Sequence, residues 1–211
     1  MLRLLRSHGV LLAVLCVAAG VQAAMSLRTK SLTFDELTYI PAGYSYFVTG
    51  DYRLNPEHPP LAKLLAGGAL LTIGPSIDLL HESWEEAEQW AFGEHFFEAS
   101  GVGTARLVDT ARAPFVALLM ALVLLAYFFA TELYSPRAGL VAATLCAFSP
   151  NLLAHGRLAT TDFPQAFMVV ATAYAFLLFT RAPSPGKAFA TGVALGLALL
   201  SKYSAILLVG L

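Results

Sequence analysis

Long apolar stretches and one polar block alternate along the chain. Apolar residues dominate 9–27, return at 113–134, and continue through 138–154, 163–180 and 187–200, and a further apolar run starts at 201–211. A helix needs ~20 such residues to cross the hydrocarbon core of a bilayer. The pattern therefore predicts an all-α, polytopic transmembrane bundle with a long first loop at 28–112. Pro114 and Pro164 fall in the expected first turns of the second and fourth spans, where a missing N–H loses no partner. Two apolar stretches lie inside the loop. Residues 59–75 are short for a span and contain Lys63, so they read as a helix lying in or dipping into the outer leaflet. Residues 78–97 interleave Trp84, Trp90, Phe92, Phe96 and Phe97 with acids, the pattern of an interfacial helix. The loop is thus expected to carry juxtamembrane helices.

Composition sharpens the class. Of 211 residues, 57% are hydrophobic and 13% charged, against about 25% charged in soluble domains. This excludes a disordered chain, a soluble globular domain and a nucleic-acid binder with a broad basic field. The net charge of −1 hides an uneven distribution. Twelve of the 14 acids lie between Asp35 and Asp109, and residues 26–112 hold only six bases. Arg3, Arg6, Arg137, Arg181 and Lys187 instead fall in alternate loops, and so on one side of the expected bundle. The positive-inside rule then puts the N-terminus in the cytoplasm, and the 28–112 loop, the 151–162 turn and the 201–203 turn outside. A crossing by 59–75 would invert the later loops against that rule. Val21-Gln22-Ala23 has the small-residue look of a cleavage site, but the polytopic chain that follows favours a retained first span. Cys16 and Cys146 sit in apolar runs and suggest neither a disulfide framework nor a metal set. Gly192 and Gly196 form a G-x-x-x-G suited to close helix packing.

Three outer motifs carry candidate chemistry. Thr33-Phe34-Asp35-Glu36 fits a capping box. Adjacent carboxylates on a helix diverge by ~100°, so one can face a reacting atom while the other supports it. In the motif from Asn55 to Lys63, prolines open a helix, and Lys63 either snorkels or meets an anion such as a headgroup phosphate. Thr160-Thr161-Asp162-Phe163-Pro164 puts an acid at a span entry, as a cap or as a functional membrane carboxylate. Arg112 and Lys202 read as phosphate ligands or headgroup anchors. His81 and His95 read more readily as solvated residues than as metal ligands.

The Asp35-Glu36 pair after the first span, His58-Pro59-Pro60-Leu61-Ala62-Lys63, Arg112-Ala113-Pro114 and Ser149-Pro150 ahead of Asp162 form an ordered set. With the run from Gly192 to Ser204, this set resembles the GT-C membrane glycosyltransferases. The nearest group is that of the protein O-mannosyltransferases and lipid-A aminoarabinose transferases. The resemblance implies catalytic roles for Asp35, Glu36 and Asp162, with Asp35 as the base. It implies contacts to the lipid phosphate or sugar for His58, Lys63, Arg112 and Lys202, of which Arg112 matches a family position best. Implied too are a polyprenyl-phosphate-linked sugar as donor, membrane lipids as surroundings and no nucleic acid. No cofactor is required; a divalent metal is admitted, without an assigned site. The expected activity is inverting transfer to an acceptor hydroxyl on the extracytoplasmic face of a bacterial inner membrane. Sugar and acceptor stay open. Family members carry more spans, so the chain reads as an N-terminal portion. The rival readings are a non-enzymatic transporter or scaffold subunit and a lipid-pyrophosphate-dependent glycan ligase.

Overall fold

The first apolar run folds as one helix, α1 (Leu2–Leu27). The computed structural model describes residues 2–27 and 30–210, and every regular element among them is helical. Arg28, Thr29 and Leu211, at the edges of the expected outer loop and last apolar run, lie outside the described residues, as do the side chains of Arg3 and Arg6. The polar block folds into α2 (Phe34–Thr49), α3 (Leu61–Leu70), α4 (Glu82–Glu85) and α5 (Gln89–Ala99). There follow α6 (Thr104–Leu133), α7 (Pro136–Ala147), α8 (Pro150–His155), α9 (Asp162–Arg181) and α10 (Pro185–Ser201). A 3-10 helix, Tyr203–Gly210, comes last.

Among the described residues, three helices are long and apolar enough to cross a membrane: His8–Leu27 of α1, then α6 and α9. Their ends define the bundle. Arg181 at the end of α9 pairs with Glu132 at the end of α6, so these two helices run parallel. Lys30, just beyond α1, meets Arg112 near the start of α6, so α1 runs against both. The polar block, the α6 and α9 starts and the α10 terminus therefore share one end. At the opposite end lie the α7 and α10 starts, with Arg137 and Lys187 in their first turns.

The helices depart from the hydropathy pattern at several places. The apolar run 138–154 is two helices rather than one, because Pro150 lacks the N–H of a continuing helix and pushes Ser149 into extended backbone (φ −70°, ψ 118°). Together α7 and α8 rise about 27 Å at 1.5 Å per residue, enough to bring the chain back to the α9 start. The second span begins at Thr104, so Pro114 lies inside α6 rather than in its first turn. Pro164 does stand in the first turn of α9. Trp84, Phe92, Phe96 and Phe97 do not face lipid: they are buried in clusters shared with α2 and α3. Gly192 and Gly196 face open space among the described residues, not a packed neighbour.

The α2–α3 contact orders the polar block. The two helices meet backbone to backbone, and a Cβ at Gly43 would lie 1.8 Å from the Lys63 carbonyl oxygen. A Cβ at Gly67 would lie 2.1 Å from the Gly43 carbonyl carbon. Gly43→Ala is therefore expected to lower stability by about 1–3 kcal/mol through forced separation, read by thermal unfolding in detergent. Gly192→Ala, in open space, serves as the control and should not destabilise. An unchanged melting temperature for Gly43→Ala would refute the close approach.

Candidate functional site

The adjacent carboxylates of Asp35 and Glu36 part ways at the start of α2. Glu36 points inward and is fully buried. Its Oε2 accepts from Thr33 N (3.0 Å), Thr33 Oγ1 (2.7 Å) and Arg112 Nη2 (2.6 Å). Its Oε1 accepts from Arg112 Nε (2.7 Å) and Ala159 N (2.9 Å). The expected capping box is present, and the same carboxylate also ties α2 to α6 and to the loop before α9. Burial pushes the Glu36 carboxyl up, but hydrogen bonds from Arg112 and Ala159, the Arg112 charge and the Thr33 hydroxyl together hold it below its ordinary range.

Arg112 is spent on this knot. It is 0% exposed, and besides Glu36 its Nη1 and Nη2 donate to the carbonyls of Lys30 (3.1 Å) and Ser31 (2.9 Å). It presents no free face to a lipid phosphate, contrary to the sequence expectation. Lys63 departs from expectation in the same way. Its ammonium is 1% exposed and donates to Asn55 O (2.5 Å), Asn55 Oδ1 (3.0 Å) and His58 O (2.8 Å). An ammonium has three donors, so none is left for an anion. Burial brings Lys63 down to about 8, against the pull of the Glu57 carboxylate. Its role is to hold the Asn55–Pro60 loop, including Asn55 at φ +52°, against α3.

Asp35, by contrast, is exposed, and its carboxylate accepts no hydrogen bond from a described residue. Four residues on, one helical turn away on the same face, stands Tyr39. Its phenol is raised to about 12, first by burial and then by the Asp35 carboxylate; the Thr161 side chain offsets part of this, and Glu57 and Asp162 add to it. Asp35 and Asp162, distant in sequence, thus act on one buried hydroxyl. Asp162 is exposed and pairs with Lys202 Nζ at 2.6 Å. His58 packs edge-on against Tyr39, ring centroids 5.7 Å apart. Asp35, His58 and Asp162 thus gather about Tyr39, with Lys202 held by Asp162, and form the candidate mouth; Glu36, Lys63 and Arg112 are buried.

Sequence reasoning missed two residues here. Tyr39 carried a signal in its i, i+4 spacing from Asp35. Arg157 carried another: a base in an expected outer turn, against the charge rule that placed the others. Its Nη1 reaches Ser26 O (3.2 Å) and its Nε reaches Ala154 O (3.3 Å), and it has no carboxylate partner among the described residues. His81 and His95 stack on each other at 3.8 Å, and His95 meets Asp78 at 3.1 Å. No group of three or more His, Cys, Asp or Glu that could hold a metal ion occurs among the described residues.

Residues 106–210 match the family model for dolichyl-phosphate-mannose-protein mannosyltransferase. The match supports a glycosyltransferase domain of the GT-C superfamily over that segment. It contains Arg112, Asp162 and Lys202; Asp35, Glu36, His58 and Lys63 precede it. No curated protein and no solved structure matches the chain.

Proposed function

We propose that the chain transfers a sugar from a polyprenyl-phosphate-linked donor to an acceptor hydroxyl at the mouth formed by Asp35, Asp162 and Lys202. The observation that carries this reading is the division of labour at the start of α2. Glu36 is consumed in the fold, while Asp35 next to it is exposed, accepts no bond from a described residue and acts with Asp162 on Tyr39. Asp35 is the general base: it takes the acceptor hydroxyl's proton as the oxygen attacks the anomeric carbon from the face opposite the leaving phosphate, which inverts the configuration. Lys202, partly exposed and already at the mouth, offsets the charge that builds on the phosphate as the bond breaks. Asp162 positions Lys202 and borders the acceptor. Glu36, Arg112 and Lys63 are positioning residues. No step requires a metal.

The mouth faces away from the cytoplasm in this reading. Arg3 and Arg6 precede the first span, and Arg137 and Lys187 lie at the bundle's opposite end with Arg181, the side favoured for basic loops. Cysteine labelling tests the arrangement. D35C and D162C, each in a background without Cys16 and Cys146, are expected to react with a membrane-impermeant maleimide from the extracytoplasmic side. Labelling of the two positions from opposite compartments would overturn the site.

A further inference from the structure

Beside the mouth lies a cavity of about 240 Å³, lined among others by Tyr46, Tyr52, His58, Pro60, Lys63 and Tyr203. Its walls come from the Asn55–Pro60 loop, the α2 and α3 faces and the start of the last 3-10 helix. We propose that this cavity receives the sugar ring of the lipid-linked donor, held against the Tyr52 and Tyr203 rings, and that the phosphate stays outside it. The proposal rests on the donor reading above and gives that donor's sugar a place.

The lining is wrong for an anion. The cation in its wall, Lys63, has all three donors committed to Asn55 and His58. The nearby Glu57 carboxylate, fixed by Asn55 Nδ2 (3.0 Å) and Gln89 Nε2 (2.7 Å), adds negative charge. The lining suits a neutral, hydroxylated ring instead. Tyr46 and Tyr52 stack with centroids 4.3 Å apart, and Tyr46 is anchored through its hydroxyl to Leu54 O at 2.5 Å. Tyr52 and Tyr203 are 52% and 63% exposed, and their hydroxyls bond to no described residue. Each offers an apolar face and a free polar tip, the amphipathic surface that tyrosine brings to recognition. The volume is below the ~300–1,000 Å³ of drug-sized sites, so it fits one ring rather than a lipid tail.

Its position also fits. His58 lines the cavity and packs against Tyr39, on which Asp35 and Asp162 act. Tyr203 follows Lys202, the partner of Asp162. A sugar seated there has the proposed base on one side and the proposed phosphate partner at its rim.

The experiment measures binding of farnesyl-phosphate-mannose and of farnesyl phosphate to the purified full chain. Tyr52→Ala and Tyr203→Ala are each expected to weaken the sugar-bearing ligand about three- to tenfold, the scale of one lost aromatic contact. Farnesyl phosphate binding should not change. Both side chains are largely exposed, so the fold tolerates the change; Tyr134→Ala, 79% exposed at the far end of α6, should move neither ligand. Equal losses for both ligands would assign the cavity to phosphate or lipid and overturn the proposal, as would no loss for either. Wild-type protein that binds neither ligand would overturn the donor reading itself, and this inference with it.

Discussion

Asp35→Asn is expected to cut sugar transfer by about 10²–10⁴-fold, the scale of one lost general base, while the protein folds and inserts as the wild type does. The substitution preserves shape and removes only the site that accepts the proton. Asp35 is exposed and accepts no hydrogen bond from a described residue, so its amide leaves nothing unsatisfied. The loss should therefore fall on kcat, with donor binding nearly unchanged. Initial rates from a radiolabelled polyprenyl-phosphate sugar in proteoliposomes, alongside thermal unfolding, separate the two. Wild-type rates in this variant would remove Asp35 from the mechanism.

Arg112→Ala is expected to lose about 3–5 kcal/mol of stability, the cost of stripping one partner from a buried ion pair. Glu36 would keep its place at 0% exposure with its charge uncompensated, and the Lys30 and Ser31 carbonyls would lose their donor. The double variant with Glu36→Ala should cost less than the sum of the single changes, because it removes the stranded charge as well. Chemical or thermal unfolding of the four proteins checks this. Strict additivity would mean the pair is not coupled.

The same knot predicts a pH dependence. The folded Glu36 carboxyl lies below its ordinary value, so its stabilisation is fully present above the unfolded value of about 4.3. It is lost as pH falls through the lower folded value. Acid unfolding should be less steep in Glu36→Gln than in the wild type.

Much of the architecture was legible as pattern. The apolar runs became helices, and the capping signal at Thr33–Glu36 marked the α2 start correctly. The divergence of adjacent carboxylates anticipated that only one would face outward. The errors share a cause. Pro114 is placed by local preference alone, and Pro150 is passed over because the run around it is apolar. One sits inside a helix whose packing continues through it, and the other breaks a run that hydropathy made continuous. The aromatics of 84–97 were read as lipid-facing because period and composition do not say whether lipid or protein covers an apolar face; α2 and α3 cover it.

The sequence by itself determined that this is a helical membrane protein, where its charges collect, and which motifs carry carboxylates and cations. Each is a property of neighbouring residues and of transfer between water and lipid. Only the tertiary structure decided which charged groups are free to act. Lys63 and Arg112 look like phosphate ligands along the chain, but hydrogen-bond saturation depends on partners brought in by folding. Glu36 gathers donors 76 and 123 positions away, and that distant closure leaves Asp35 exposed, without a partner among the described residues.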